Sequence, residues 1–157
     1  MVFKYSWRNV GNVMSTDVFT VSAEASVREA ASAMVEHDIG SVVVVEGKAP
    51  RRRVKGLVTD HSLLRLLAER QDPAKVPVKG VMTPDPVTVH PREDFMVASA
   101  LMESYKVKKL PVVEGGYLVG IITQSDVAHV VNELNKQYSF RLSTMDRPLR
   151  KNAGKQG

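Results

Sequence analysis

Cysteine is absent from this chain, which excludes disulfides, iron–sulfur clusters and thiolate zinc sites and fits a reducing compartment. Residues 1–10 hold no apolar stretch of the kind found in a secretory leader, and nowhere do about 18 apolar residues run together, as a membrane-spanning helix needs. The expectation is a soluble, cytoplasmic protein with no membrane partner. His37, His61, His90 and His129 lack the spacing of metal ligands, and no glycine-rich phosphate loop follows a strand. No nucleophile stands beside a base in the sequence. Catalysis is therefore not expected: no catalytic residue, no metal and no catalytic cofactor.

The body of the chain also lacks net charge. The total is +5, but residues 136–157 carry six basic side chains (Lys136, Arg141, Arg147, Arg150, Lys151, Lys155) against one acid, Asp146. The excess belongs to the tail, so the body shows no general signature of an anionic partner. What remains is ordinary globular material: 157 residues, 43% of them apolar, enough for one domain or two small halves sharing a core.

Those halves are visible as a repeat. Val10-Gly11-Asn12-Val13-Met14-Ser15-Thr16-Asp17 matches Val78-Lys79-Gly80-Val81-Met82-Thr83-Pro84-Asp85 at an offset of 68, and Val44-Val45-Glu46 matches Val112-Val113-Glu114 at the same offset. Gly56-Leu57-Val58-Thr59 matches Gly120-Ile121-Ile122-Thr123 at an offset of 64, so the first copy carries four extra residues before Gly56. Each copy is expected to run strand, helix, strand, strand, helix. In the first, Val18–Val21 is a strand, and Ser26-Val27-Arg28-Glu29 is a capping box opening a helix whose stripe is Val27, Ala30, Ala31, Met34 and Val35. Asp94 caps the second-copy helix, with Phe95, Ala98, Leu101 and Met102 as its stripe.

The hairpins are expected as Val42–Glu46 with Val54–Thr59, and Leu110–Glu114 with Tyr117–Thr123. Gly115-Gly116 suits a two-residue turn that needs positive φ. Gly47–Arg53 replaces it in the first copy with a basic loop, expected as a solvated tip. The closing helices are expected over Ser62–Arg70 and Asp126–Lys136. The divisions are thus residues 8–70 and 78–136 for the repeats, 71–77 for a proline-containing linker, and 137–157 for a basic tail. The fold class is α+β: two βαββα repeats packed with pseudo-twofold symmetry, because halves of about 60 residues are marginal alone. A cleft between such halves is the natural place for a ligand.

One corner concentrates chemistry. In Gly120-Ile121-Ile122-Thr123-Gln124-Ser125-Asp126 a strand gives way to a helix, with Ser125 and Asp126 expected as its opening caps. Two hydroxyls and a carboxylate gather there, groups that can hold a sugar diol.

The ordered combination of Val-Met-Thr (81–83), Thr-Val-x-Pro (88–91), a capped helix, Lys-Lys-Leu-Pro-Val-Val (108–113) and Gly-Ile-Ile-Thr-x-Ser-Asp (120–126) resembles a cystathionine β-synthase-type (CBS) domain. Two copies resemble a CBS pair, or Bateman module, over residues 8–136. The resemblance implies a regulatory sensor that binds AMP, ADP, ATP or S-adenosylmethionine, works as a homodimer joined through its helices into a flat disc, and acts on a separate regulated protein. It further implies that Asp126 holds the ribose hydroxyls, with Thr123 and Ser125 at the flanking hydroxyl positions and Ile121 beside them. Adenine is implied against Thr16, Val18 and Phe19 and against Ile39 and Gly40, and phosphate against Lys108 and Lys109. Two adjacent lysines ahead of a buried strand also suit a phosphate on physical grounds.

The twin corner, Thr59-Asp60-His61-Ser62, has serine at the ribose position. Asp60 is expected to point elsewhere, with Pro84, Val87 and Thr88 opposite and Asp38 taken as the equivalent of Lys108. This twin is expected to be empty or weak, or to take a ligand with little negative charge. Two other readings stand beside the sensor: nucleic-acid or acidic-partner binding by the tail, where Tyr138, Phe140 and Arg141 mix aromatic and basic character, and a ligand-free dimerisation module.

Overall fold

The computed structural model describes residues 8–145; Asp146, Arg147, Arg150, Lys151 and Lys155 of the basic tail lie outside the described residues. The first copy runs α1 (Val10–Val13), β1 (Thr20–Ser22), α2 (Val27–Glu36), β2 (Ser41–Glu46), β3 (Arg53–Thr59) and α3 (Asp60–Ala68). The second runs through a 3-10 turn (Val78–Gly80) to β4 (Thr83–Pro84), α4 (Phe95–Tyr105), β5 (Lys109–Glu114), β6 (Tyr117–Thr123) and α5 (Gln124–Met145). The fold is the expected α+β repeat. No helix among the described residues is long and apolar enough to cross a membrane.

Local chemistry sets most element ends. The Ser26 hydroxyl accepts from the Glu29 amide at 3.2 Å while the Glu29 carboxylate accepts from the Ser26 amide at 2.6 Å, a bond that also holds the Glu29 carboxyl below its ordinary pKa. Asp94 caps α4 by accepting from the Met96 amide at 2.8 Å. Gly115 and Gly116 both take positive φ, 59° and 85°, as the tight β5–β6 turn demands. Of the α2 stripe, Val27, Ala30 and Met34 are buried, whereas Val35 is 84% exposed: one step past Met34 rotates it about 100° around the helix and off the core.

Three further expectations are corrected. The strand expected at Val18–Val21 forms at Thr20–Ser22, and its second-copy counterpart shrinks to a single parallel bridge between Val89 and Val112. Val43 donates to the Phe19 carbonyl at 3.1 Å; the residue matching Val43 is Pro111, which has no N–H to give. The expected closing helices begin two residues early, and α5 runs past Lys136 to Met145, since neither glycine nor proline interrupts it before Pro148. Nor is the basic loop merely a solvated tip: an Arg52 Nη1 donates to Thr20 Oγ1 at 3.2 Å and the Arg52 carbonyl accepts from the Leu118 amide at 2.8 Å.

The copies are joined by reciprocal exchange of their leading segments. Strand order is β1-β2-β3-β4, so β4 of the second copy extends the first copy's sheet, with Leu57 opposite Thr83. In the mirror-related place Ile121 of β6 pairs with Ser15 of the first copy. Val10 donates to the Glu93 carbonyl and Val78 to the Ala25 carbonyl, both at 2.8 Å. The cores follow suit: Val78 and Val81 are buried with α2, β2 and α3, and Val10 with α4, β5 and β6. A third cluster, Val43, Val45, Leu57 and Leu118, lies between the two sheets. Gly56 and Gly120 permit the exchange. A methyl on Gly120 would meet the Met14 sulfur and sit 2.9 Å from the Ser15 carbonyl oxygen; on Gly56 it would meet the Met82 sulfur and sit 3.0 Å from the Thr83 carbonyl oxygen.

Candidate functional site

The corner after β6 is built from Thr123 backwards and forwards. Its Oγ1 accepts from the Asp126 amide at 3.2 Å, and Asp126 Oδ2 accepts from both the Thr123 amide and the Thr123 hydroxyl at 2.8 Å. Thr123 is therefore the cap, and the expectation of Ser125 and Asp126 as opening caps is corrected: both lie inside the first turn of α5. Thr, Ser and Asp are all good caps; the strand's extension to Thr123 decides among them. Only Oδ2 takes part in the cap. The carboxylate is pinned by one oxygen and half-buried, with Oδ1 outside the capping bonds.

Thr123 also lines a small cleft of about 100 Å³ between the copies. Val18, Phe19, Ile39, Val43 and Ile121 form its apolar walls, and Asp17, Ser41, Lys109 and Thr123 its polar groups. His37 stacks on the Phe19 ring, centroids 3.7 Å apart, fixing that wall. Lys109 is half-buried; its loss of hydration pushes the ammonium pKa below the ordinary lysine value, Asp60 pushes it back up, and Lys108 adds to the lowering.

The structure thus brings together Val18, Phe19, Ile39, Lys109, Ile121 and Thr123. Gly40 joins them, since a methyl there would stand 3.1 Å from Lys109 Nζ. Asp126 is tied to this group through Thr123, yet it faces a second hollow of about 420 Å³ between α1 and α5, lined also by Asn12, Val13, His129 and Glu133. Thr16, Ser125 and Lys108 are exposed and line neither hollow. Ser41 and Val43 were missed, although strand alternation from Ile39 puts all three on one face.

The twin corner repeats the geometry without the charge. Thr59 caps α3, with Ser62 making the reciprocal bond at 3.4 Å. Ser62 is buried and spent on the cap. Asp38 is not the equivalent of Lys108, as expected, but of Lys106: both follow a helix with left-handed φ, 50° and 54°. Gly40 matches Lys108, each offering its carbonyl to the first residue of a closing helix, Asp60 at 3.1 Å and Gln124 at 2.9 Å. Asp60 points away from its own corner, as expected. Its Oδ2 would lie 3.4 Å from a methyl on Gly40, on the Lys109 side of the cleft.

A family model, CBS domain, matches residues 10–69 and 78–133. The CBS domain-containing protein YhcV of Bacillus subtilis is 35% identical over 130 residues, spanning 82% of this chain and 88% of that protein. Among solved structures, the CBS domain protein PAE2072 from Pyrobaculum aerophilum, complexed with AMP, superposes with a TM-score of 0.72 at 23% identity, covering 82% of this chain and 98% of that one. The CBS domain pair of protein MJ0100, in complex with 5′-methylthioadenosine and S-adenosyl-L-methionine, gives 0.71 at 24% identity, covering 80% and 96%.

Proposed function

Because this chain belongs to the CBS-domain family and carries the domain twice, we propose that it is a regulatory sensor of adenosine-type ligands, bound at the Thr123–Asp126 corner. The observation that carries this reading is three chemistries gathered around Thr123: the apolar slot that Thr123 lines, the half-buried Lys109 in that slot, and the Asp126 carboxylate pinned to Thr123 by a single oxygen beside the neighbouring hollow. The slot is smaller than the roughly 300–1,000 Å³ of drug-sized pockets. It suits a flat base between Phe19, Ile39 and Ile121, with sugar and phosphate at the rim. Asp126 Oδ1 offers the diol charge-assisted hydrogen bonds, and Lys109 offers the phosphate a compact cation. That PAE2072 is complexed with AMP, and MJ0100 with 5′-methylthioadenosine and S-adenosyl-L-methionine, supports the ligand class.

The site works by binding, and its output passes to a regulated protein or through a homodimer. Exposed Leu64 and Leu67 on α3 and Met96 and Val97 on α4 support self-association. The test is calorimetric titration of AMP, ADP, ATP and S-adenosylmethionine into wild type and Asp126→Ala. Losing two charge-assisted bonds should weaken binding about a hundredfold or more. Unchanged binding in the variant would sink the site, and no binding of any of the four to wild type would sink the ligand class.

A further inference from the structure

The acid of the first copy's corner reaches the other copy's cleft. Asp60 is the first residue of α3 and is not its cap; Thr59 is. Its Oδ1 accepts from the His61 amide at 2.8 Å, and its backbone N–H donates to the Gly40 carbonyl at 3.1 Å. This turns Oδ2 over Gly40, where a methyl group would stand 3.4 Å from it and 3.1 Å from Lys109 Nζ. Gly40 therefore leaves open the space in which a carboxylate of one copy and an ammonium of the other approach each other. At the equivalent place in the second copy stands Gln124, which is neutral.

We propose that Asp60 is a specificity-determining residue that makes the cleft favour adenosine ligands carrying one phosphate over those carrying two or three. The proposal rests on the reading above, since it needs a phosphate beside Lys109. Lys109 is the cleft's half-buried cation; Lys108 is exposed and off the cleft. Part of the Lys109 charge already answers Asp60. A single phosphate can share the ammonium with that carboxylate, whereas a second and third bring two or more negative charges beside it with no further cation among the described residues lining the cleft. Asp60 is exposed, so water and salt screen the repulsion, and it amounts to roughly a three- to thirtyfold effect on affinity rather than a block.

The experiment is titration of adenosine, AMP, ADP and ATP into the full chain at low and physiological salt, for wild type, Asp60→Asn and Asp60→Ser. Both variants keep an acceptor for the His61 amide and the intact Thr59 cap, and thermal melts check their folding. Wild type should bind AMP more tightly than ATP. Either variant should gain roughly three- to thirtyfold for ATP, less for AMP and nothing for adenosine, with the gain shrinking as salt rises. If wild type binds AMP but the ATP-to-AMP affinity ratio is the same in the variants, this proposal is overturned and the site stands. If wild type binds none of the four but binds S-adenosylmethionine, this proposal falls and the site stands; if it binds S-adenosylmethionine no better, both fall.

Discussion

Adding one methyl group at Gly120 tests the reciprocal exchange directly. The new Cβ would meet the Met14 sulfur and come within 2.9 Å of the Ser15 carbonyl oxygen. The sulfur can swing away; the carbonyl cannot, because it accepts from the Ile121 amide at 2.9 Å while the Ser15 amide donates to the Ile121 carbonyl at 2.9 Å. Relieving the clash means drawing the leading segment back and loosening both bonds, at about 0.5–1.5 kcal/mol each. Repacking Met14 adds about 1 kcal/mol, so Gly120→Ala should cost about 2–4 kcal/mol. In a chain of this size that lowers the melting temperature by roughly 4–16 °C. Gly56→Ala should behave alike, with the Thr83 carbonyl at 3.0 Å. Urea denaturation measures both. In a Met14→Ala background Gly120→Ala should still cost about 1–3 kcal/mol, since only the movable atom has been removed. If both single variants lose less than about 0.5 kcal/mol, the leading segments are not held as described.

Two further outcomes follow from the site and from α5. Burial lowers the Lys109 pKa, so raising the pH through that lowered value neutralises the ammonium, and AMP affinity should fall over that range while adenosine affinity does not. Over the same interval, up to about 10.5, the unfolded chain holds the proton that the folded chain has released, so the stability of the ligand-free protein should rise with pH; titrations and melts from pH 7 to 10.5 check both signs. Truncation after Lys136 removes side chains that are exposed throughout 137–145, so adenosine-ligand binding should be unchanged and the melting temperature should move by less than about 2 °C. A steep salt dependence of any nucleic-acid complex, lost on the same truncation, would assign that activity to the tail.

Much of the fold was legible because the same local chemistry is written twice. The Ser26–Glu29 capping box, the Asp94 cap and the Gly115-Gly116 turn act within a few residues, and the structure places each where local rules put it. The exchange of leading segments was not legible, because nothing near Val10 says that its burial partner is Phe95 rather than its own repeat's core. Val35 shows the same limit on a smaller scale: an apolar residue one step beyond a helical stripe looks like part of it until the neighbours are known. At the site, Asp126 and Thr123 stood out by residue type. The contribution of Asp60 did not, because its meaning depends on Lys109, 49 positions away in sequence and a neighbour only across the pseudo-twofold.

The unbroken course of α5 has a mechanical consequence. Its 22 residues make a rod of about 33 Å at 1.5 Å per residue, with the Thr123–Asp126 latch at its root. Beyond Leu134 every described residue of the helix is exposed. Such a rod is a lever with its fulcrum beside the cleft. A tilt of about 5° at the latch displaces the tip at Met145 by roughly 3 Å, more than the shift of one or two ångströms by which helices slide at subunit interfaces in known switches.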